Sequence, residues 1–215
     1  MDTKTQQQRK NIINAYMQHV LEHNTQPTNI YKFSVNNDME ESDFYKYFTS
    51  FESLEMEIFN EFFNETIDIL EKNDEYHDFT AQNKLLSFYF TFFEILTKNR
   101  SYTVFSLGYN KLKVIKMTSA LRQSFKEYLD SLDLGGPDFK NDKLDRITSK
   151  GTSEAYWGQL VLLINFWMND TSPDFEKTDI LIEKMVITGF KLQNTEPLDS
   201  IIDLGKFLLK EVKTY

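Results

Sequence analysis

The side chains that could do chemistry in this chain are few and scattered. His19 and His23 stand four apart, the spacing that puts two imidazoles on one face of a helix and, with further ligands, on one metal ion. No third ligand keeps step with them, and helix surfaces carry such pairs by chance. Asp74-Glu75-Tyr76-His77 sets a carboxylate and a His three apart, but once, whereas a di-metal bundle needs Glu-x-x-His on two facing helices. The absence of Cys removes thiolate ligands, thiol nucleophiles and disulfides. No Gly-rich phosphate loop, nucleophile elbow or Ser/His/Asp pattern occurs. The expectation is a binding protein, not an enzyme, with no cofactor and no metal.

Aromatic surface, by contrast, is abundant: 19 Phe and 11 Tyr make this a chain whose apolar volume is dominated by rings. Phe88, Phe92, Tyr102, Phe105, Tyr109, Phe125 and Trp157 gather in its C-terminal part. Core packing accounts for most such residues. The functional alternative is an apolar pocket for a hydrophobic or lipid-like small molecule, anchored by Tyr hydroxyls and an indole N–H. Lys111, Lys113, Lys116, Arg122 and Lys126 form the one basic concentration. It reads as a solvated helix face, with an anionic lipid headgroup or an acidic partner as the alternative. The net charge of −9 lowers the expectation of a phosphate-gripping protein without excluding one, because the local field decides. The longest nearly unbroken apolar run, residues 160–168, is far shorter than the roughly 20 residues that span a bilayer. The start, MDTKTQQQRK, has no apolar stretch to act as a secretory signal, so a cytoplasmic location is expected.

Positioning falls to helices. Only 7 Gly and 4 Pro punctuate the chain, and apolar residues recur at helical spacing almost throughout. A first helix is predicted over about 5–23, with Ile12, Ile13, Tyr16, Val20 and Leu21 on one stripe. Short helices near 28–35 and 40–47 flank the polar turn Asn36-Asn37-Asp38, whose residues tolerate left-handed backbone. Thr49 and Glu52 have capping-box spacing and open a long helix to about Glu71, with Leu54, Ile58, Phe62 and Ile69 inward. A charged loop follows at 72–77, then a helix over about 80–98 that is apolar on nearly every side. A shorter helix near 103–109 leads into one at 112–132, stopped by Leu134-Gly135-Gly136-Pro137. Residues 138–151 read as a loop or a frayed short helix. Ser172-Pro173 is a cap and first-turn pair between two further helices, 153–169 and 173–192, and a last helix starts near Pro197. The fold class is all-α, with nine or ten helices and no strand. The helices at 153–169 and 173–192 are too apolar to be sealed by one chain of this size. A homodimer through a four-helix interface is therefore expected, with Val161, Ile164, Met168, Leu181, Met185 and Gly189 in it.

One long helix, two short helices about a tight turn, and a long helix opened by Phe44-Tyr45-Lys46-Tyr47-Phe48-Thr49-Ser50-Phe51-Glu52-Ser53-Leu54 resemble the N-terminal domain of TetR-family regulators. The family's stretch there reads aliphatic-Tyr-x-Tyr/His-Phe, two residues, Lys-Glu-x-Leu. Ile30 and Phe33 stand where that family has the apolar residues of its second helix, and Ser34 where it has a small one. The likeness spans about the first 70 residues and is architectural beyond them. It implies a three-helix head at 1–50 and a helical ligand-binding and dimerisation domain at 51–215, connected by the helix at about 50–71. It also implies a ligand-responsive homodimeric transcriptional regulator. The head departs from the family where it would meet DNA. The turn lacks the family's Gly, the recognition helix exposes Glu40, Glu41 and Asp43, and Phe51 replaces a backbone-contacting Lys. Residues 28–48 hold two lysines against four carboxylates, which disfavours DNA. Thr28, Asn29, Tyr45 and Lys46 remain as donors to phosphate oxygens. The alternative is a protein that has given up DNA and resembles the lipid-binding accessory proteins of ubiquinone biosynthesis, which carry isoprenoid lipids on the same fold.

Overall fold

A computed structural model describes residues 3–108, 111–132, 134 and 142–193. Among the described residues it contains eleven α-helices, one 3-10 turn and no strand, two elements more than the upper expectation. They are α1 (Thr3–His23), α2 (Ile30–Asn36), α3 (Glu41–Tyr45), α4 (Phe51–Glu71), α5 (Asp74–His77) and α6 (Ala81–Lys98). Then come α7 (Arg100–Leu107), α8 (Lys111–Met117), α9 (Ser119–Ser131), α10 (Asp142–Asn169), the 3-10 turn Pro173–Phe175 and α11 (Glu176–Gln193). The helix expected from Pro197 and the Gly135-Gly136-Pro137 stop lie outside the described residues. No described helix is long and apolar enough to cross a membrane.

Local chemistry sets the boundaries, and in several places it moves them. Asn24 ends α1 in the left-handed region, φ +52, where Asn is tolerated. The expected cap at Thr49 shifts by one: Ser50 caps α4, its hydroxyl accepting from the Ser53 N–H at 3.1 Å while the Ser53 hydroxyl accepts from the Ser50 N–H at 3.0 Å. A short hydroxyl thus does what Glu52 was expected to do, and Glu52 reaches Lys116 at 2.7 Å instead. The expected charged loop at 72–77 holds a single helical turn, α5, started by Asn73, whose side chain accepts from the Glu75 N–H at 3.0 Å. The helix expected over 112–132 is two helices. At Thr118 the hydroxyl donates to the Val114 carbonyl at 2.7 Å, the back-bonding that bends helices.

The chain packs as two units. One comprises the chain up to Lys72 together with Thr91–Phe125; the other comprises Asn73–Phe90 and the chain from Lys126 onward. The first unit is built on a ring cluster. Tyr16 stacks on Phe51 at 5.3 Å and meets Phe33 and Tyr102 edge-on, while Phe33 and Phe44 meet Phe51 edge-on at 5.6 Å. Ile12, Ile13, Tyr16 and Val20 are buried as their spacing requires, but Leu21 is exposed because it sits about 100° round the helix from Val20. Ile69 is exposed for the same reason, and Thr66 and Leu70 carry the buried stripe of α4 beyond Leu54, Ile58 and Phe62. Arg9 bridges Glu57 and Glu61, fastening α1 to α4 at its rim.

The second unit centres on α10 and α11. Trp167, Leu160, Leu163 and Ile164 of α10 are buried, as are Ile182 and Val186 of α11. The Ser172-Pro173 pair opens the 3-10 turn, not the long helix. Asp174 and Phe175 both take positive φ, and α11 begins only at Glu176. The first turn of α11 is capped from upstream. Asp170 accepts from the Thr178 N–H at 2.9 Å and hydroxyl at 2.7 Å, and Ser172 accepts from the Lys177 N–H at 3.2 Å. Elsewhere in this unit the Tyr76 and Tyr128 hydroxyls share a hydrogen bond of 2.9 Å, and Tyr128 donates to the Lys84 carbonyl at 3.0 Å.

Candidate functional site

The residues expected to meet a nucleic acid lie on α2, α3 and their flanks. Asp38 holds the left-handed position of the turn between α2 and α3, φ +53, so a short polar side chain stands where a Gly is usual. The Asn37 amide closes α2 by donating to the Phe33 carbonyl at 2.7 Å. Thr28 and Asn29 are both exposed; Asn29 caps α2, accepting from the Lys32 N–H at 2.8 Å. Lys46 donates to Asp43 at 2.6 Å, and the Tyr45 hydroxyl donates to Glu41 at 3.3 Å. The hydrogen bond from Lys46 holds the Asp43 carboxyl below its ordinary range, and the same bond raises Lys46. Phe51 is half-buried and meets the rings of Tyr16, Phe33 and Phe44. The Tyr47 hydroxyl donates to Gln8 at 2.8 Å and serves packing. Two of the four donors that could hold phosphate are therefore already engaged by carboxylates of their own helix.

In the first unit, α4 holds a buried acid that is not among the expected site residues. Glu55 is only 3% exposed, and no cation pairs with it among the described residues. Three donors from three segments converge on it. The Tyr16 hydroxyl of α1 donates at 2.5 Å, Gln26 of the connector after α1 at 2.9 Å, and Ser106 of α7 at 3.2 Å. Burial first, then the hydrogen bond to Glu55 and its charge, push the Tyr16 hydroxyl far above its ordinary pKa. The Tyr102 hydroxyl, also on α7, is driven up by burial and next by the same carboxylate. Both hydroxyls therefore stay neutral phenols, and that of Tyr16 donates to Glu55. The signal was present in the spacing: Glu55 lies three, four and seven residues before Ile58, Phe59 and Phe62, all buried, and so shares their stripe.

The aromatic residues proposed for a pocket divide between the two units. Phe92, Tyr102 and Phe125 are buried and Phe105 half-buried in the first; Phe88 and Trp157 are buried in the second; Tyr109 lies outside the described residues. Open grooves occur among the described residues of the first unit. One, of about 330 Å³, runs between α1 and α4 and includes Lys10, Asn14, Glu61, Glu65 and Asp68. Another, of about 240 Å³, lies against the α2–α3 turn and includes Gln8, Asn11, Asp38, Met39 and Tyr47. None of the aromatic residues singled out above lines either one.

On α10 and α11 the expected interface residues differ in exposure. Ile164 and Met168 are buried within the chain, while Val161, Leu181, Met185 and Gly189 are half-buried. At Gly189 the Tyr156 hydroxyl approaches so closely that a Cβ would meet it at 3.4 Å. The apolar side chains that face outward are Leu162 and Phe166 on α10 and Ile180 and Ile187 on α11. The His19 and His23 rings lie 4.4 Å apart, and burial, then the neighbouring His23, lower the pKa of His19. Among the described residues no group of three or more acidic or His side chains is placed to hold a metal.

No curated protein sequence matches the chain. Among solved structures it is similar to one described as "fatty acid degradation regulator FadR from Bacillus halodurans". The identity is 17% and the TM-score 0.53, over 83% of this chain and 93% of that one, a likeness of fold. Residues 84–208 match the family described as "Tetracyclin repressor-like, C-terminal domain". That match covers more than half of the sequence: the chain belongs to the tetracyclin repressor-like (TetR) family.

Proposed function

We propose that the protein is a ligand-responsive, homodimeric TetR-family regulator whose C-terminal helices bind a hydrophobic small molecule and whose head makes at most weak contact with DNA. The observation that carries the reading is the Glu55 junction. It ties α1 and the connector before α2 to α4 and α7 through hydrogen bonds, those of Tyr16 and Ser106 buried, so a displacement of α7 would be felt in the head. A residue range of 1–50 serves as head and 51–215 as ligand-binding and dimerising part. The outward Leu162, Phe166, Ile180 and Ile187, with Val161, Leu181 and Met185 beside them, supply the self-complementary apolar face a two-fold dimer uses. The similar structure is described as a regulator of fatty acid degradation, which makes a fatty acyl chain the first ligand class to test.

A second reading is favoured by one specific observation. With Lys46 on Asp43 and Tyr45 on Glu41, DNA would have to displace carboxylates before reaching its donors, as suits a lipid-binding accessory protein that has abandoned DNA. Native mass spectrometry of protein purified from its own cells tests the shared part. A dimer carrying an apolar mass supports both readings, and a bare monomer sinks both. A low-salt duplex shift assay then separates them: retained binding keeps the regulator, and none leaves the accessory protein.

A further inference from the structure

We propose that α8 is a membrane-docking face, resting on a bilayer surface that carries anionic lipid. The helix has two sides. Val114 and Met117 are buried, and the opposite stripe at spacing i, i+3, i+4 is Leu112, Ile115 and Lys116. Leu112 is 75% exposed and Ile115 45%. Single exposed apolar residues are ordinary on proteins. What sets this pair apart is its setting. From 111 to 125 the sequence holds Lys111, Lys113, Lys116 and Arg122 and no carboxylate, within a chain of net charge −9. Glu52 meets the stripe at Lys116, at 2.7 Å, with both side chains about half exposed. Such a pair is weakened by water and exchanges readily for a lipid phosphate.

The shape of the face favours a bilayer over a protein. A side chain as exposed as Leu112 stands proud of the surface, and a protein partner would need a pocket to receive it. A fluid interface needs none: two aliphatic side chains enter the headgroup–acyl boundary while the lysines extend to the phosphates. Charge complementarity is the second support, because the cytoplasmic leaflet is negative and each nearby lysine adds to attraction. The inference goes beyond the ligand-binding reading and does not rest on it, although a protein held at a membrane has direct access to apolar ligands.

The test is flotation of the full chain with vesicles of phosphatidylcholine alone and of phosphatidylcholine mixed with phosphatidylglycerol. The expected result is at least roughly tenfold stronger partitioning onto the anionic vesicles, falling as salt is raised. Leu112→Glu with Ile115→Glu abolishes it, while Tyr31→Glu with Val35→Glu, a comparably exposed apolar pair on α2, leaves it unchanged. All four side chains are exposed, and an unaltered helical circular dichroism spectrum confirms folding. Equal partitioning onto both vesicles, no partitioning, or equal loss in the two variant pairs overturns the proposal. So does capture by polyglutamate without capture by vesicles, which would assign the face to an acidic protein.

Discussion

At the scale of single residues, Glu55 joins four segments of the first unit. A buried carboxylate without a cation is tolerable only while its donors stay in place. Glu55→Ala strands the buried hydroxyls of Tyr16 and Ser106, both on other helices, and is expected to cost about 2–4 kcal/mol. Tyr16→Phe removes one donor and keeps the ring stack on Phe51, and should cost about 1–2 kcal/mol. Urea midpoints followed by circular dichroism measure both. A change within about 0.5 kcal/mol for Glu55→Ala would mean that water enters and takes over the hydrogen bonds. Both Trp residues, Trp157 and Trp167, lie in the second unit, so indole fluorescence reports separately on whether the loss spreads there. Lys46 illustrates the opposite case. Its type and position suit a phosphate, and the side chain of Asp43 three residues before it takes that role away.

Helix ends decide much at the scale of elements. Burial alone would raise the Asp170 carboxyl, but hydrogen bonds from Ser172 and Thr178 outweigh it and hold the group down to about 2. Its folded pKa is thus below the ordinary value of 3.8, so its contribution is present in full above that value. It is lost as pH falls toward 2. Discounted for solvent screening, the contribution is about 1 kcal/mol. Asp170→Asn should therefore lower stability at neutral pH by about that amount and flatten the acid limb between pH about 4 and 2. Thermal melts of the two proteins across that range test it, and parallel acid limbs would remove Asp170 as the cause. The shift of the α4 cap from Thr49 to Ser50 has a related origin. Capping signals read from spacing alone do not distinguish Thr-x-x-Glu from an adjacent Ser-x-x-Ser, and here extended backbone at Ser50 selects the latter.

For the whole molecule, mutation tests assembly and placement. Leu162→Glu with Phe166→Glu puts two charges on the outward face of α10 without touching the chain's own core. The expected outcome is a monomer of unchanged helix content by light scattering, against a dimer for the parent protein. A variant that stays dimeric would move the interface away from α10. This face and α8 belong to different helices, so the monomeric variant should still float with anionic vesicles, though more weakly for want of a second copy.

The sequence by itself determined the helical class, most helix positions and the acidic character of the head. These follow from local spacing and composition, which packing modifies only at the edges. It also carried the family resemblance of the first 70 residues, because that lies in a contiguous run from Phe44 to Leu54. Tertiary structure alone decided which of several neighbouring apolar residues faces inward, as with Leu21 against Val20 and Ile69 against Leu70. A one-residue step turns a side chain by about 100°, so a broad apolar stripe leaves its edges undetermined. It alone decided the fate of polar groups as well. Glu55, Tyr16, Gln26 and Ser106 are separated by up to 90 residues, and hydrogen bonding between such distant side chains depends on where the backbone brings them, which no local pattern encodes.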